Sequence, residues 1–303
     1  MGTVRIPDVV PSPTEDCETL LKAFKGLGTN EKSVISVLGH RNVSQRKKIR
    51  ETYEQLYNRS LVDDIFAELS GDFRKAVILW TYDPSERDAR LANEALKSRK
   101  KTITQLQVIV EIACASSPDH LVAVRQAYCG LFNCSFEEDI TANVPMPVRK
   151  ILIDLVRSYR YDKELVDPSI ANAEAAILRE AIRTKQLDSD NFLMILSTRN
   201  FHQLRATFEC YKQNYGFSID QDIKSCGKGL LESILKVVRA SIVGIGTDED
   251  SLTRAIVTRA EVDMMKVRGE YFIANKTSLD NAVIGDTSGD YMKFLMTLLG
   301  AKV

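Results

Sequence analysis

Apolar residues recur at intervals of three and four along most of the chain, and this spacing predicts helices. Val34, Ile35 and Leu38 share one face of a predicted helix, and Ile49 and Tyr53 begin a similar stripe on the next. Residues three, four and seven apart lie on the same side of an α-helix. The alternation of apolar and polar residues that indicates strands is absent from the sequence. The pattern therefore predicts an all-α protein.

One helical unit occurs four times in the same register. Each copy has a tyrosine as its anchor, at Tyr53, Tyr128, Tyr211 and Tyr271. Eight and twelve residues after each tyrosine the sequence is apolar, at Leu61, Phe136, Ile219 and Leu279 and at Ile65, Ile140, Ile223 and Val283. Twelve residues before it stands an arginine in three copies and a serine in the second, at Arg41, Ser116, Arg199 and Arg259. This shared register predicts four repeats of about five helices each.

Unequal distances between the anchors predict the organisation of the chain. The long second interval contains a charge-rich connector, and the short third interval lacks about fifteen residues relative to the first. Because Leu230–Val243 contains no turn signal, we expect one helix at this join where the other joins have two, which leaves part of the core uncovered. The predicted segments are a tail (1–12), repeats (13–83 and 84–156), the connector (157–169), a third repeat (170–235) and a fourth with a truncated first helix (236–303).

Two of the four copies share a glycine loop and a distant acid. Phe24–Glu31 has the sequence FKGLGTNE and precedes Glu68, and Ile242–Glu249 has the sequence IVGIGTDE and precedes Asp286. Each acid follows the second glycine of its loop by forty residues. The second and third copies lack the glycines and the acid together, which indicates that these residues act as a set.

The chemistry of this set fits a calcium ion. Calcium takes six to eight oxygen ligands at about 2.3–2.6 Å and accepts main-chain carbonyls together with a carboxylate. Glycines let a loop curl so that alternate carbonyls point inward. The predicted ligands are Phe24, Gly26, Gly28 and Glu68 in the first repeat, and Ile242, Gly244, Gly246 and Asp286 in the fourth. Since these ligands do not complete the coordination of the ion, a phosphate oxygen of an anionic lipid is a natural further ligand.

These motifs resemble those of the annexin family, and in particular of its plant branch. The resemblance covers about residues 13–303 and is carried by KGLGT at 25–29, GIGT at 244–247 and GDTSGDY at 285–291. It implies a slightly curved disc of four helical repeats whose convex face binds anionic phospholipid membranes through Ca²⁺. It also implies a cytoplasmic protein that becomes peripheral to membranes when calcium rises. Cytoskeletal or other protein partners, and self-association on membranes, are compatible with it.

Two pairs of residues beside the loops are candidates for auxiliary calcium sites. They are Thr29 with Glu31 and Thr247 with Glu249. A threonine followed by an early acid is also typical of a helix N-cap, since the hydroxyl satisfies free amides and the acid favours the positive end of the helix dipole. The sequence leaves both interpretations open.

Composition narrows the class of partner. Lys+Arg 41 balances Asp+Glu 41, so the formal net charge is zero, which argues against a nucleic-acid-binding protein. No apolar run approaches the ~20 residues needed to cross a bilayer. The 6 cysteines include no CxxC pair, which predicts a reduced protein with mostly buried thiols.

Two other functions compete with calcium-dependent lipid binding. The first is a calcium-independent helical scaffold for protein partners, as other α-helical repeat proteins are. The second is an enzyme. His40 would serve a weak peroxidase, but no pocket or supporting ligand is evident in the sequence. Asp286–Gly289 loosely matches a nucleotide-binding pattern, although the chain has no Gly-x-x-x-x-Gly-Lys-Ser/Thr loop. We therefore expect a non-enzymatic protein with Ca²⁺ as its ligand.

Overall fold

The computed structural model describes residues 1–26, 28–157, 159–161, 163–227, 229–243 and 249–301. Over these residues the chain forms nineteen α-helices and no β-strand, so the predicted all-α fold is confirmed. The bounds of the predicted repeats stay a prediction.

The helices follow one another in sets. The first set is α1 (Pro13–Phe24), α2 (Glu31–Leu38), α3 (Val43–Tyr57), α4 (Leu61–Glu68) and α5 (Gly71–Thr81). The second is α6 (Pro84–Lys97), α7 (Ile103–Ala115), α8 (Pro118–Phe132), α9 (Phe136–Asn143) and α10 (Val148–Arg157). The third is α11 (Pro168–Arg183), α12 (Asp190–Thr198), α13 (Phe201–Tyr215), α14 (Ile219–Cys226) and α15 (Leu230–Val243). The fourth is α16 (Glu249–Arg259), α17 (Met264–Asn275), α18 (Leu279–Asp286) and α19 (Gly289–Leu298).

Corresponding helices end in the same way, which explains the register of the repeats. Helices α3, α8, α13 and α17 each end in a residue of left-handed backbone conformation, at Asn58, Asn133, Gly216 and Lys276. A left-handed residue at this position stops the helix and turns the chain toward the next one. Because the stop falls five residues after each anchor tyrosine, the four copies keep the same length from the anchor to the following helix.

Three of the four anchor tyrosines are fully buried and hydrogen-bonded. Tyr53, Tyr128 and Tyr211 are each 0% exposed. Each hydroxyl donates to the aspartate eleven residues later, at 2.6 Å to Asp64, 2.5 Å to Asp139 and 2.6 Å to Asp222. Burial raises the pKa of all three phenols, and that of Tyr211 rises to about 12. In the fourth copy the corresponding position is Ala282, and Tyr271 is only partly buried.

The buried phenols predict a loss of stability in alkali. A folded-state pKa above the unfolded value of about 10 means that the stabilisation is complete below pH ~10 and is lost as the pH rises through about 12. We expect the urea midpoint to decrease as the pH rises between those two values. In a pH titration of the native protein, the exposed tyrosines should ionise at lower pH than the buried ones. Tyr211→Phe should flatten the fall in the urea midpoint. A native protein whose 10 tyrosines all ionise together near the ordinary pKa would contradict this assignment.

In the three copies that have an arginine twelve residues before the anchor, this arginine pairs with an acid. Arg41 forms two bonds of 2.7 Å to Asp16 of α1, and both side chains are buried. In the third set Arg199 pairs with Glu174 of α11, where Glu174 is buried but the Arg199 side chain is 40% exposed. The fourth set has no equivalent first helix among the described residues, and Arg259 bonds instead to Asp263 at the start of α17.

The shortened join between the third and fourth sets is a single helix, as predicted. Helix α15 spans Leu230–Val243, where the other joins hold α5 with α6 and α10 with α11. It packs against α7, α10, α13 and α14, and therefore closes the core of the third set. The predicted boundary between residues 235 and 236 lies inside this helix.

Two compact units contain these helices. One comprises residues 1–87 and 244–303, and the other comprises residues 88–243. In the first unit α5 packs against α16 and α19, and Phe73 meets the ring of Phe294 edge-on at 6.0 Å. The indole of Trp80 donates to the carbonyl of Leu38 at 2.7 Å. In the second unit the main packing is of α7 on α15 and of α11 on α13.

The burial of the cysteines differs from the prediction of mostly buried thiols. Cys17 and Cys114 are buried, and burial raises the pKa of each thiol to about 11. The other four are partly or fully exposed, so the expectation of mostly buried thiols was wrong. Among the described helices none is long and apolar enough to cross a membrane.

Candidate functional site

The loop between α1 and α2 has the backbone that its glycines predict. Gly26 has φ of +155° and Gly28 has φ of +93°, a region that L side chains rarely adopt. Among the described residues, apart from the chain neighbours of Gly28, none lies within 4 Å of a Cβ built on it, so backbone conformation rather than crowding requires this glycine. The side chain of Asn30 accepts from Ser33 N at 3.1 Å and begins α2.

A hydrogen bond ties this loop to the end of α4. The hydroxyl of Thr29 donates to the main-chain oxygen of Glu68 at 2.9 Å. Glu68 is the last residue of α4 and its side chain is exposed. The structure therefore brings the loop and the predicted acid together. This bond uses the main-chain oxygen of Glu68 and does not involve its carboxylate.

The same bond refines the role of Thr29. The N-cap of α2 is Asn30, so the interpretation of Thr29 as the capping residue was wrong. Its hydroxyl instead joins two segments that lie 39 residues apart. Glu31 is the first residue of α2, where a carboxylate favours the positive end of the helix dipole.

The acids of the first and fourth repeats line one cavity of the first unit. Its volume is about 440 Å³. Five carboxylate residues line it together with polar, aromatic and aliphatic residues: Glu31, Glu68, Asp72, Asp286 and Asp290, with Leu69, Ser70, Phe73, Thr287, Ser288 and Tyr291. Such a concentration of negative charge attracts cations and repels anionic surfaces.

Sequence reasoning missed Asp72 and Asp290 as residues of this cavity. Both follow a left-handed glycine, since Gly71 has φ of +58° and Gly289 has φ of +61°. The repeated tripeptide Ser-Gly-Asp at 70–72 and 288–290 is the signal that could have found them.

The structure describes fewer residues of the fourth-repeat loop than of the first-repeat loop. Gly244, Gly246 and Thr247 lie outside the described residues, while Ile242 belongs to the last turn of α15 and Glu249 is the first residue of α16. Asp286 is the last residue of α18 and is exposed. The structure therefore places the acid of this predicted site but not its loop.

The first-repeat residues fit a calcium ion by their chemistry. Hard cations prefer oxygen ligands, and the loop offers main-chain carbonyls on a glycine backbone beside an exposed carboxylate. Among the described residues no three His, Cys, Asp or Glu side chains gather closely enough to bind a metal by themselves.

The histidines have local contacts. The Nδ1 atom of His40, which lies in the turn after α2, is 3.2 Å from the carbonyl oxygen of Ser36 in that helix. The Nε2 atom of His120 lies 2.8 Å from Asp88. His120 is partly buried and Asp88 is buried.

One protein-family model matches three stretches of the chain. The family model described as "Annexin" matches residues 15–80, 173–238 and 236–298. The last two matches overlap at 236–238, which lies within α15. The same helix thus matches the end of one repeat and the start of the next.

Curated relatives include plant annexins. The chain is 55% identical to "Annexin D3" of Arabidopsis thaliana over 321 aligned positions, covering 100% of both chains. It is 46% identical to "Annexin-like protein RJ4" of Fragaria ananassa, covering 94% of this chain and 95% of the relative.

Solved annexin structures match at least nine-tenths of each chain. The chain matches "Annexin III" with a TM-score of 0.85 and 31% identity, covering 100% of this chain and 98% of that one. It matches chicken annexin V in complex with Zn²⁺ with a TM-score of 0.85 and 30% identity, covering 99% of each. It matches calcium-bound annexin (Sm)1 with a TM-score of 0.72 and 28% identity, covering 96% of this chain and 90% of that one.

Proposed function

This chain belongs to the annexin family, and on that premise we propose that it binds anionic phospholipid membranes through calcium held by the first-repeat loop and Glu68. Calcium and phospholipid binding is the property that the family supports in general. The assignment of particular residues as calcium ligands is what we propose here.

The observation that supports it most directly is the bond from Thr29 to the main chain of Glu68. It holds the loop beside the end of α4, where Glu68 is the last residue. We propose the main-chain oxygens of Phe24, Gly26 and Gly28, with that carboxylate, as the calcium ligands. The ion would supply positive charge at a surface that otherwise carries carboxylates.

A second site of the same kind is proposed in the fourth repeat. Its ligands would be Ile242, Gly244, Gly246 and Asp286. Auxiliary sites at Thr29 with Glu31 and at Thr247 with Glu249 are proposed on the same reasoning from the sequence. Because the Thr29 hydroxyl is used by Glu68, the main-chain oxygen of Thr29 is the atom available to an ion.

The charge of the cavity explains why binding would require calcium. The protein has zero formal net charge, so it has no general attraction to an anionic surface. Glu31, Glu68 and Asp72 lie around the cavity and repel lipid phosphate until a cation is present. We propose that calcium converts a repulsive surface into an attractive one, and that the protein moves from the cytoplasm to the membrane when calcium rises.

Vesicle sedimentation tests this function. We expect the protein to pellet with phosphatidylserine-containing vesicles in calcium, to return to the supernatant when chelator is added, and to ignore vesicles of phosphatidylcholine alone. Binding that persists in chelator would contradict the proposal and favour a calcium-independent scaffold.

A further inference from the structure

An exposed phenylalanine lies next to the predicted calcium acid of the first repeat. Phe66 is 59% exposed and precedes Glu68, the last residue of α4, by two positions. A rise of about 1.5 Å per residue places both residues in the last turn of this helix. Leu61 and Ile65 form the buried face of α4, and Phe66 lies outside it. The ring is therefore exposed at the end of α4 to which Thr29 ties the glycine loop.

The same position is apolar in the other repeat that has the acid and polar in the two repeats that lack it. Two residues before Asp286 stands Ile284, which is 52% exposed. Counted from the anchor tyrosine, the corresponding residues of the second and third repeats are Thr141 and Lys224. A single exposed apolar side chain is common on protein surfaces and needs no special explanation. Apolar residues that occur only together with the acid indicate a role that they share with it.

An arginine of the neighbouring helix lies over the ring of Phe66. The guanidinium carbon of Arg74 is 4.5 Å from the ring centroid. The same guanidinium donates to the main-chain oxygen of Phe66 at 3.2 Å, so Arg74, near the start of α5, spans the turn between the two helices. Among the described residues no acid forms an ion pair with Arg74, and its side chain is partly exposed. Its positive charge is therefore available to an anion from outside the chain.

The chemistry of this pair is complementary to an anionic phospholipid bilayer. Exposed apolar side chains enter the boundary between headgroups and acyl chains, and an arginine beside them binds phosphate. Glu68 and Asp72 lie close to the pair in sequence and line the acidic cavity. Because these carboxylates repel lipid phosphate, the ring would reach a bilayer only after a cation has reduced their charge. A calcium-dependent lipid surface therefore fits the pair better than a protein partner.

We propose that Phe66 and Arg74 form a lipid contact of the first repeat, a proposal that rests on the proposed function. The ring of Phe66 enters the interfacial region of an anionic bilayer when calcium is bound at the neighbouring loop, and the Arg74 guanidinium binds a lipid phosphate beside it. Ile284 is the corresponding contact of the fourth repeat. These side chains supply no ligand to the ion, and they determine how tightly the calcium-loaded protein holds the lipid.

Removal of the ring tests its contribution to affinity. At saturating calcium, Phe66→Gln should raise the concentration of phosphatidylserine vesicles needed for half-maximal sedimentation by at least about tenfold, because membrane binding removes the apolar ring from water. Phe272→Gln is the matched control, since Phe272 is 56% exposed and lies in α17, near the start of α18 and not near the end that carries Asp286. Wild-type affinity of Phe66→Gln, or equal losses in both variants, would overturn the proposal.

Removal of the cation tests the role of Arg74. Arg74→Gln should weaken vesicle binding at saturating calcium by about fivefold, the contribution of one cation close to an anionic membrane. The difference from wild type should shrink as salt is raised, because salt screens the attraction. Lys47→Gln removes the same charge from an exposed position on α3 and should have little effect. Equal effects of the two substitutions would contradict a phosphate contact at Arg74.

Fluorescence quenching shows whether the ring enters the bilayer. Phe66→Trp adds a reporter to a sequence whose one tryptophan, Trp80, is buried. With phosphatidylserine vesicles brominated on their acyl chains, calcium should quench the emission of Phe66→Trp and chelator should restore it. Phe272→Trp, the matched control, should keep its emission.

The same samples separate failure of the lipid contact from failure of the proposed function. Protein that sediments with the vesicles in calcium while Phe66→Trp is quenched no more than Phe272→Trp would overturn the lipid contact alone. Wild-type protein that does not sediment in calcium would contradict the proposed function and the lipid contact together.

Discussion

Glu68→Gln is expected to raise the calcium concentration for half-maximal vesicle binding by at least about tenfold, which corresponds to about 1.4 kcal/mol of binding free energy. The amide keeps the size of the side chain and one neutral oxygen but removes the negative charge that a hard divalent cation prefers. The bond from Thr29 to the main-chain oxygen of Glu68 does not depend on the carboxylate, so the loop should keep its position. The measurement is vesicle sedimentation over a calcium titration.

The control for this variant lies on the same helix. Asp63→Asn removes the same charge from an exposed position at the other end of α4. It should leave the calcium requirement nearly unchanged, since its carboxylate is not a predicted ligand. Equal effects of the two substitutions would show that overall charge, and not a ligand at Glu68, determines binding.

Arg41→Met is expected to reduce the free energy of unfolding by about 3–5 kcal/mol. Arg41 lies just before α3 and Asp16 lies in α1, and both side chains are buried. Two hydrogen bonds of 2.7 Å join them. Removing the guanidinium leaves the Asp16 carboxylate buried without its counter-charge, and this loss is far more costly than the loss of an exposed pair. Urea unfolding followed by circular dichroism measures the change.

The fourth repeat supplies the comparison for this prediction. Arg259 occupies the same register position, but it pairs with Asp263 and both side chains are 27% exposed. Arg259→Met should therefore cost about 1 kcal/mol or less. If the two arginine variants destabilise the protein equally, burial is not what distinguishes the pairs.

Much of the fold follows from local pattern. The anchor register and the helical spacing identify the helices because a buried stripe at that period leaves few alternatives. The absence of a turn signal in Leu230–Val243 was enough to predict a single helix there, and α15 has these bounds. The first-repeat loop was predicted by Gly26 and Gly28, whose backbone conformations few other residues adopt.

The remaining features depend on contacts between distant segments. The bond from the Thr29 hydroxyl to the main-chain oxygen of Glu68 joins two residues that lie 39 positions apart. The shared cavity arises because the first and fourth repeats belong to one unit, which brings Glu68 and Asp286 to its lining. Sequence periodicity also treats exposed apolar residues such as Ile273 as core, because it has no measure of what covers them.

The most direct test of the calcium site is a crystal structure of this chain grown with calcium. We expect ion density within about 2.3–2.6 Å of the carbonyl oxygens of Gly26 and Gly28 and of the Glu68 carboxylate, with remaining positions held by water or a phosphate oxygen. A calcium-saturated crystal with no ion at this loop, or with the Glu68 carboxylate turned away from an ion bound elsewhere, would contradict the account.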